Sequence, residues 1–226
     1  MQHIISKPFT IINRLLERRY RSLLIALVAM IILPSFFEGS RYQGLLSFFF
    51  NSLTILLCIY AVHETKRQLH GGILLALVVI IVNQFGVFKS EATLDFYLSF
   101  IIYLVFYAFV AYTLLKMIIA TEEVNIGVLY AAVLVYLLIG IIGGYLLMLI
   151  ENASPGSINN LHIENITNPS KFFYFSFITL STLGYGDITP ASPPARSICM
   201  ILSTAGPLYL TILVALLVSR FDHAEL

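Results

Sequence analysis

Apolar residues dominate the chain in long uninterrupted runs, and the polar residues gather in short clusters between them. Crossing about 30 Å of hydrocarbon takes about 20 apolar residues, because a helix rises about 1.5 Å per residue and must satisfy its backbone groups internally. Six runs reach or approach that length: Ser22 to Phe37, Gly44 to Val62, Gly72 to Phe88, Leu94 to Met117, Ile126 to Ile150 and Arg196 to Val218. A seventh, Phe172 to Leu183, is too short to span and suits a re-entrant half-helix that enters and leaves by one face. The pattern predicts an all-α membrane protein of six transmembrane helices plus one re-entrant segment.

Ahead of the first run, Ile4, Ile5, Phe9, Ile12, Leu15 and Leu16 recur at helical spacing, with Arg14, Arg18, Arg19 and Arg21 on the other face. Residues 1–21 therefore read as an amphipathic interfacial helix, retained because no small-x-small cleavage site follows Phe37. Composition agrees with a bilayer protein: 59% hydrophobic, 11% charged and mean hydropathy +0.91. A net charge of +1 leaves no basic face for nucleic acid. Cys58 and Cys199 each lie inside an apolar run, which suits core residues and not a disulfide framework or metal site.

Charge also predicts orientation. With six spans, one side receives Lys7, Arg14, Arg18, Arg19, Arg21, Lys66, Arg67, Lys116 and Arg220, and the other only Arg41, Lys89, Lys171 and Arg196. Cytoplasmic loops carry the excess of Lys and Arg, so both termini are expected in the cytoplasm and the re-entrant segment at the outer face of a plasma or bacterial inner membrane.

Residues 151–168 form the polar stretch of greatest length, an expected extracellular turret in which Asn152 and Asn165 match a glycosylation pattern short enough to arise by chance. Asn168 and Pro169 then read as the cap and first position of a short helix over 169–181. Its carboxyl end carries partial negative charge, which stabilises a cation when several such helices aim at one axis. Thr182-Leu183-Gly184-Tyr185-Gly186-Asp187 comes next in the chain. Gly184 and Gly186 permit positive φ, which turns successive carbonyls toward one axis while Leu183 and Tyr185 point away. Rings of such carbonyls from four chains replace the water shell of a potassium ion, and the Thr182 hydroxyl adds the innermost ligand.

Here the chain resembles the potassium channel superfamily, whose signature Thr-x-Gly-Tyr-Gly-Asp it matches with Thr179-Leu180-Ser181 upstream. The resemblance covers about Ile126 to Val218, and the first four spans match the six-helix branch in number and layout. It implies a homotetramer in membrane lipid, with K+ bound at Thr182, Leu183, Gly184 and Tyr185 and with Gly186 and Asp187 closing the outer mouth. Family members often carry Trp on the pore helix behind the filter Asp. The positions here are Tyr174 and Phe175, so the Tyr174 hydroxyl is expected to reach Asp187, and Ile178 stands where some relatives have Glu.

Within the pore domain, residues 124–220, the outer helix is expected at 126–150 and the inner helix at 196–218, with a tail at 221–226. Gly206 falls at the hinge glycine of relatives, and Pro207 after it is expected to kink the helix. Below it Leu210, Val214 and Val218 share one face, an expected cavity lining and apolar gate. The four-helix block, residues 22–118, has the layout of a voltage sensor, but its fourth span holds only Lys116 near its end, so steep voltage dependence is not expected. Asn83, Gln84 and Asp95 read as interhelical hydrogen bonders or helix-end residues, and Glu122 and Glu123 as dipole partners at a helix entrance. The few residues after Arg220 carry the expectation of no attached ligand-gating domain. Competing readings are a non-selective cation channel, a non-conducting partner subunit, and an intramembrane aspartyl protease that matches Gly-x-Gly-Asp at Gly184 to Asp187 but lacks a partner carboxylate.

Overall fold

The computed structural model describes residues 6–37, 40, 43–62, 73, 77, 79, 94–121, 125–161 and 169–221. Its elements are α1 (Ser6–Phe36), α2 (Gln43–Val62), α3 (Leu94–Ala120), α4 (Ile126–Ala153), β1 (Ile158–Asn159), α5 (Ser170–Leu180), β2 (Thr189–Pro190) and α6 (Pro193–Phe221). Five of these helices are long and apolar enough to span: Glu17–Phe36, Leu45–Val62, Tyr97–Ala120, Ile126–Ala153 and Pro193–Arg220. The chain is thus an integral membrane protein, built on helices because hydrocarbon offers no partner to an open backbone. The expected third span, Gly72 to Phe88, lies almost wholly outside the described residues; Ile73, Leu77 and Val79, which are described, are helical. Asn83, Gln84, Glu122, Glu123, Asn165 and Asn168 also lie outside them, as does the Asp95 side chain. The expected surface helix and first span form one continuous helix, with no helix end at Ser22.

Two compact units divide the chain. The first takes in α1, α2, the end of α3, the start of α4 and the end of α6. Tyr20, Leu23, Leu27 and Met30 form the buried stripe of α1 at three- and four-residue steps, and Ile55, Cys58 and Val62 that of α2. Thr54 donates to the Ala26 carbonyl at 3.4 Å, and the Arg19 guanidinium lies 4.9 Å from the centre of the Tyr60 ring. The last carbonyls of a helix lack internal partners. Arg220 satisfies two of them on α3, donating to Ile118 at 2.8 Å and Ile119 at 2.9 Å. Asn125 caps α4, its Oδ1 accepting from the Val128 N–H at 3.0 Å.

The second unit holds the rest of α3, α4 and α6 with α5 and both strands. Of the spanning window in α4, 56% is buried, against 11% in α6, so α4 forms the core and α6 stays largely uncovered. At the carboxyl end of α4 the buried Glu151 carboxylate accepts from Gly156 N–H at 2.8 Å and Ile158 N–H at 2.9 Å. Strand β1 pairs antiparallel with β2, Ile158 opposite Pro190 and Asn159 opposite Thr189. The Ser157 carbonyl accepts from Ala191 at 2.7 Å and Ser192 at 3.1 Å. These bonds tie the loop after Asp187 to the end of α4. Asn152 is buried and donates to the Met148 carbonyl at 2.8 Å, a setting closed to a glycan.

Candidate functional site

Helix α5 starts one residue later than expected, with Pro169 in the cap position and its carbonyl accepting the Phe173 N–H at 2.9 Å. It settles on α4 through small residues. A Cβ at Gly140 or Gly144 would strike the rings of Phe177 and Phe173, and one at Gly143 would lie 2.5 Å from the Ser176 hydroxyl oxygen. Ser176 itself is fully buried and donates to the Gly140 carbonyl at 2.7 Å. Sequence reasoning missed this seat. Its signal was present as glycines at i, i+3 and i+4 in an apolar span, the spacing that lets helices approach closely.

The carboxyl end of α5 determines the shape of residues 182–186. Ser181 is the cap, and Thr182 lies beyond it at φ +60°. The Thr182 N–H bonds to the Thr179 carbonyl at 3.0 Å and the Leu183 N–H to the Ile178 carbonyl at 3.0 Å, the paired bonds of a Schellman ending. The Gly184 N–H also reaches Ile178, at 3.1 Å. Three successive N–H groups thus turn back into the helix. None of the carbonyls of residues 182–186 accepts a hydrogen bond among the described residues.

Handedness alternates along the same segment. Thr182, Gly184 and Gly186 have φ of +60°, +53° and +79°, while Leu183 and Tyr185 remain negative. In an ordinary strand successive residues face opposite sides. Reversing the handedness at every second residue is the backbone pattern that cancels that alternation and lets successive carbonyls face one side. Positive φ at both glycines is open to them because they lack a Cβ. At Thr182, which is β-branched, it costs about 1–2 kcal/mol and was not foreseen. The helix ending above it holds that conformation.

The structure brings Tyr174 and Asp187 together: the hydroxyl donates to the carboxylate at 2.6 Å. That bond, more than the backbone N–H groups of Ile188 and Asp187, holds the Asp187 carboxyl below its ordinary value of 3.8. A depressed carboxyl contributes stability that is present above its ordinary value and is lost as pH falls through the lowered one. Replacing Tyr174 by Phe should therefore move the acid limb of any flux against pH curve to higher pH, measured in liposomes across an outside acid series.

Gly206 is buried against α5, and a Cβ there would collide with the carbonyl oxygen of Leu180. Sequence reasoning took it for a hinge; the structure adds close backbone contact, and α6 continues as helix through Pro207. Leu210, Val214 and Val218 are exposed by 46%, 58% and 54%, so the second unit and the end of α6 leave that face uncovered. Leu183 and Tyr185 are likewise exposed, by 55% and 67%.

A family match falls on this same region. Residues 128–223 match the ion channel family. The inward rectifier potassium channel Kirbac3.1 of Paramagnetospirillum magnetotacticum is 32% identical over 74 residues, 33% of this chain and 21% of that one. Potassium channel K2 of Plasmodium berghei (strain Anka) is 42% identical over 52 residues, 23% of this chain and 4% of that one. The chain thus spans a small part of the length of both relatives. No solved structure matches. Residues 128–223, which include α5 and the segment Thr182 to Asp187, are thus similar to the ion channel family, and parts of the chain are similar to two potassium channels.

Proposed function

We propose that the chain is one subunit of a homotetrameric, potassium-selective channel. The observation that carries this reading is the run of unpaired carbonyls on residues 182–186 with handedness alternating at Thr182, Gly184 and Gly186. Oxygen donors alone, carried on backbone, fit a hard monovalent cation stripped of water. One such segment per chain supplies a quarter of each ring, so four copies share the axis. The uncovered face of α6, including Leu210, Val214 and Val218, lines the cavity below, and Gly206 with Pro207 is the place where α6 bends. Both termini lie in the cytoplasm, with residues 151–168 as the turret and 182–187 as the filter. The names of the two relatives support potassium as the ion.

Measuring reversal potentials of the purified protein in bilayers with opposed potassium and sodium solutions tests the reading. A potential close to the potassium equilibrium value is expected, and one near zero assigns a non-selective pore. Moving one elementary charge across the field is worth about 2.3 kcal/mol per 100 mV. Within the described part of α3 the basic residue is Lys116, so conductance against voltage should show an effective valence below about one charge. A valence of several charges contradicts a scaffold role for the first four spans.

A further inference from the structure

Outside the segment 182–187, a cluster of aromatic contacts surrounds Tyr145 on α4, which is 3% exposed. Four rings enclose it. Tyr103 stacks on it at 5.5 Å with planes 2° apart, Tyr107 stacks at 5.9 Å, and Phe100 lies at 5.7 Å. Phe173 of α5 meets it edge to face at 5.2 Å and 89°. Phe100, Tyr103 and Tyr107 come from one face of α3, at steps of three and four residues. Phe173 is held on a second side as well, its ring occupying the space where a Cβ on Gly144 would stand. The residue after Phe173 is Tyr174, the donor to Asp187.

We propose that Tyr145 is a positioning residue for the filter: through Phe173 it fixes the rotation of α5, and hence the reach of Tyr174 to Asp187 and the bonds from Leu183 and Gly184 to Ile178. Three helices converge on this ring, and α5 is the shortest of them, with 11 residues. Its orientation about its own axis rests on the Phe173 contact and the seat at Gly140, Gly143 and Gly144. Stacked and edge-to-face rings have preferred geometries, so this cluster sets an angle where aliphatic contacts would set only a distance. A flat ring is what the position requires, and the hydroxyl plays no part in it.

The proposal rests on the channel reading, and the experiment separates the two. Tyr145→Leu and Tyr145→Phe are compared with the unaltered protein, each first shown to be tetrameric by size exclusion in detergent. Hydrogen exchange is followed at the amides of Leu183 and Gly184. At least tenfold faster exchange is expected in Tyr145→Leu and no change in Tyr145→Phe, whatever ion passes. In bilayers the potassium over sodium permeability ratio should fall at least fivefold in Tyr145→Leu and stay within twofold in Tyr145→Phe. In a Tyr174→Phe background the leucine substitution should add less than a twofold further fall in permeability ratio, because the loss of selectivity runs through the Tyr174–Asp187 bond, while the faster exchange at Leu183 and Gly184 should persist. Should Tyr145→Leu not assemble, Phe100→Leu removes one outer ring and should show the same exchange effect, at least twofold. Unchanged exchange in an assembled leucine variant, or permeability effects that multiply in the double variant, overturns the proposal. An unaltered protein without potassium selectivity contradicts the channel reading instead and leaves the exchange result to decide this one.

Discussion

Liposomes carrying the Gly184→Ala variant are expected to pass potassium no faster than protein-free liposomes. Gly184 sits at φ +53°, and an L residue there carries about 1–2 kcal/mol of strain, so in the proposed tetramer four copies would carry about 4–8 kcal/mol together. Thr182 two residues earlier already bears such strain, at φ +60°. The cheaper outcome is for alanine to return to negative φ, which leaves the bond from its N–H to Ile178 in place and turns the carbonyl of residue 184, with the chain after it, away from the proposed axis. Gly156 supplies the control. Its φ is +84° and a Cβ there meets nothing within 4 Å, so Gly156→Ala bears a similar backbone cost in the loop after α4 without touching the filter. It should conduct like the unaltered protein. If both variants conduct equally, backbone handedness at residue 184 has no part in permeation.

The second large effect belongs to Gly206. An alanine Cβ there meets the carbonyl oxygen of Leu180, and a backbone carbonyl at the end of α5 has no rotamer to escape into. Overpacking of this kind costs about 1–3 kcal/mol, and here it acts on the residue next to the Schellman bonds that shape residues 182–184. Gly206→Ala should lower tetramer yield or single-channel current more than tenfold. Gly140→Ala is the fair comparison, since its Cβ strikes the ring of Phe177, a half-buried side chain that can turn aside while Phe173, Gly143 and Gly144 keep the rest of the seat. A loss below threefold is expected there. Equal losses at the two positions would remove the distinction between backbone and side-chain collision on which the assignment rests.

Much of this site could be read from the sequence alone. Apolar runs of spanning length give helices because hydrocarbon tolerates little else, and five of the six runs appear as such among the described residues. The glycine spacing from Thr182 to Gly186 announces its backbone because glycine alone takes positive φ without cost. Thr182 does not announce itself: its left-handed turn is imposed by the end of α5, a fact of tertiary placement. Gly140, Gly143 and Gly144 look like ordinary members of an apolar span until Phe173, Ser176 and Phe177 are set against them. Gly206 suggested a hinge because glycine loosens helices, yet its contact with Leu180 depends on a neighbour 26 positions away, as their numbers show. Arg220 counted only as a topology charge, and its bonds to Ile118 and Ile119 cannot be seen from local sequence. Periodicity reports which face is apolar; it does not report what touches that face.

A cryo-electron microscopy map of the full chain, purified in potassium, tests the central claim most directly. Four copies of residues 182–186 are expected around one axis, with density for ions spaced along it between the carbonyl rings. Filter segments lying apart from one another, or converging with their carbonyls turned away from the axis, would contradict it.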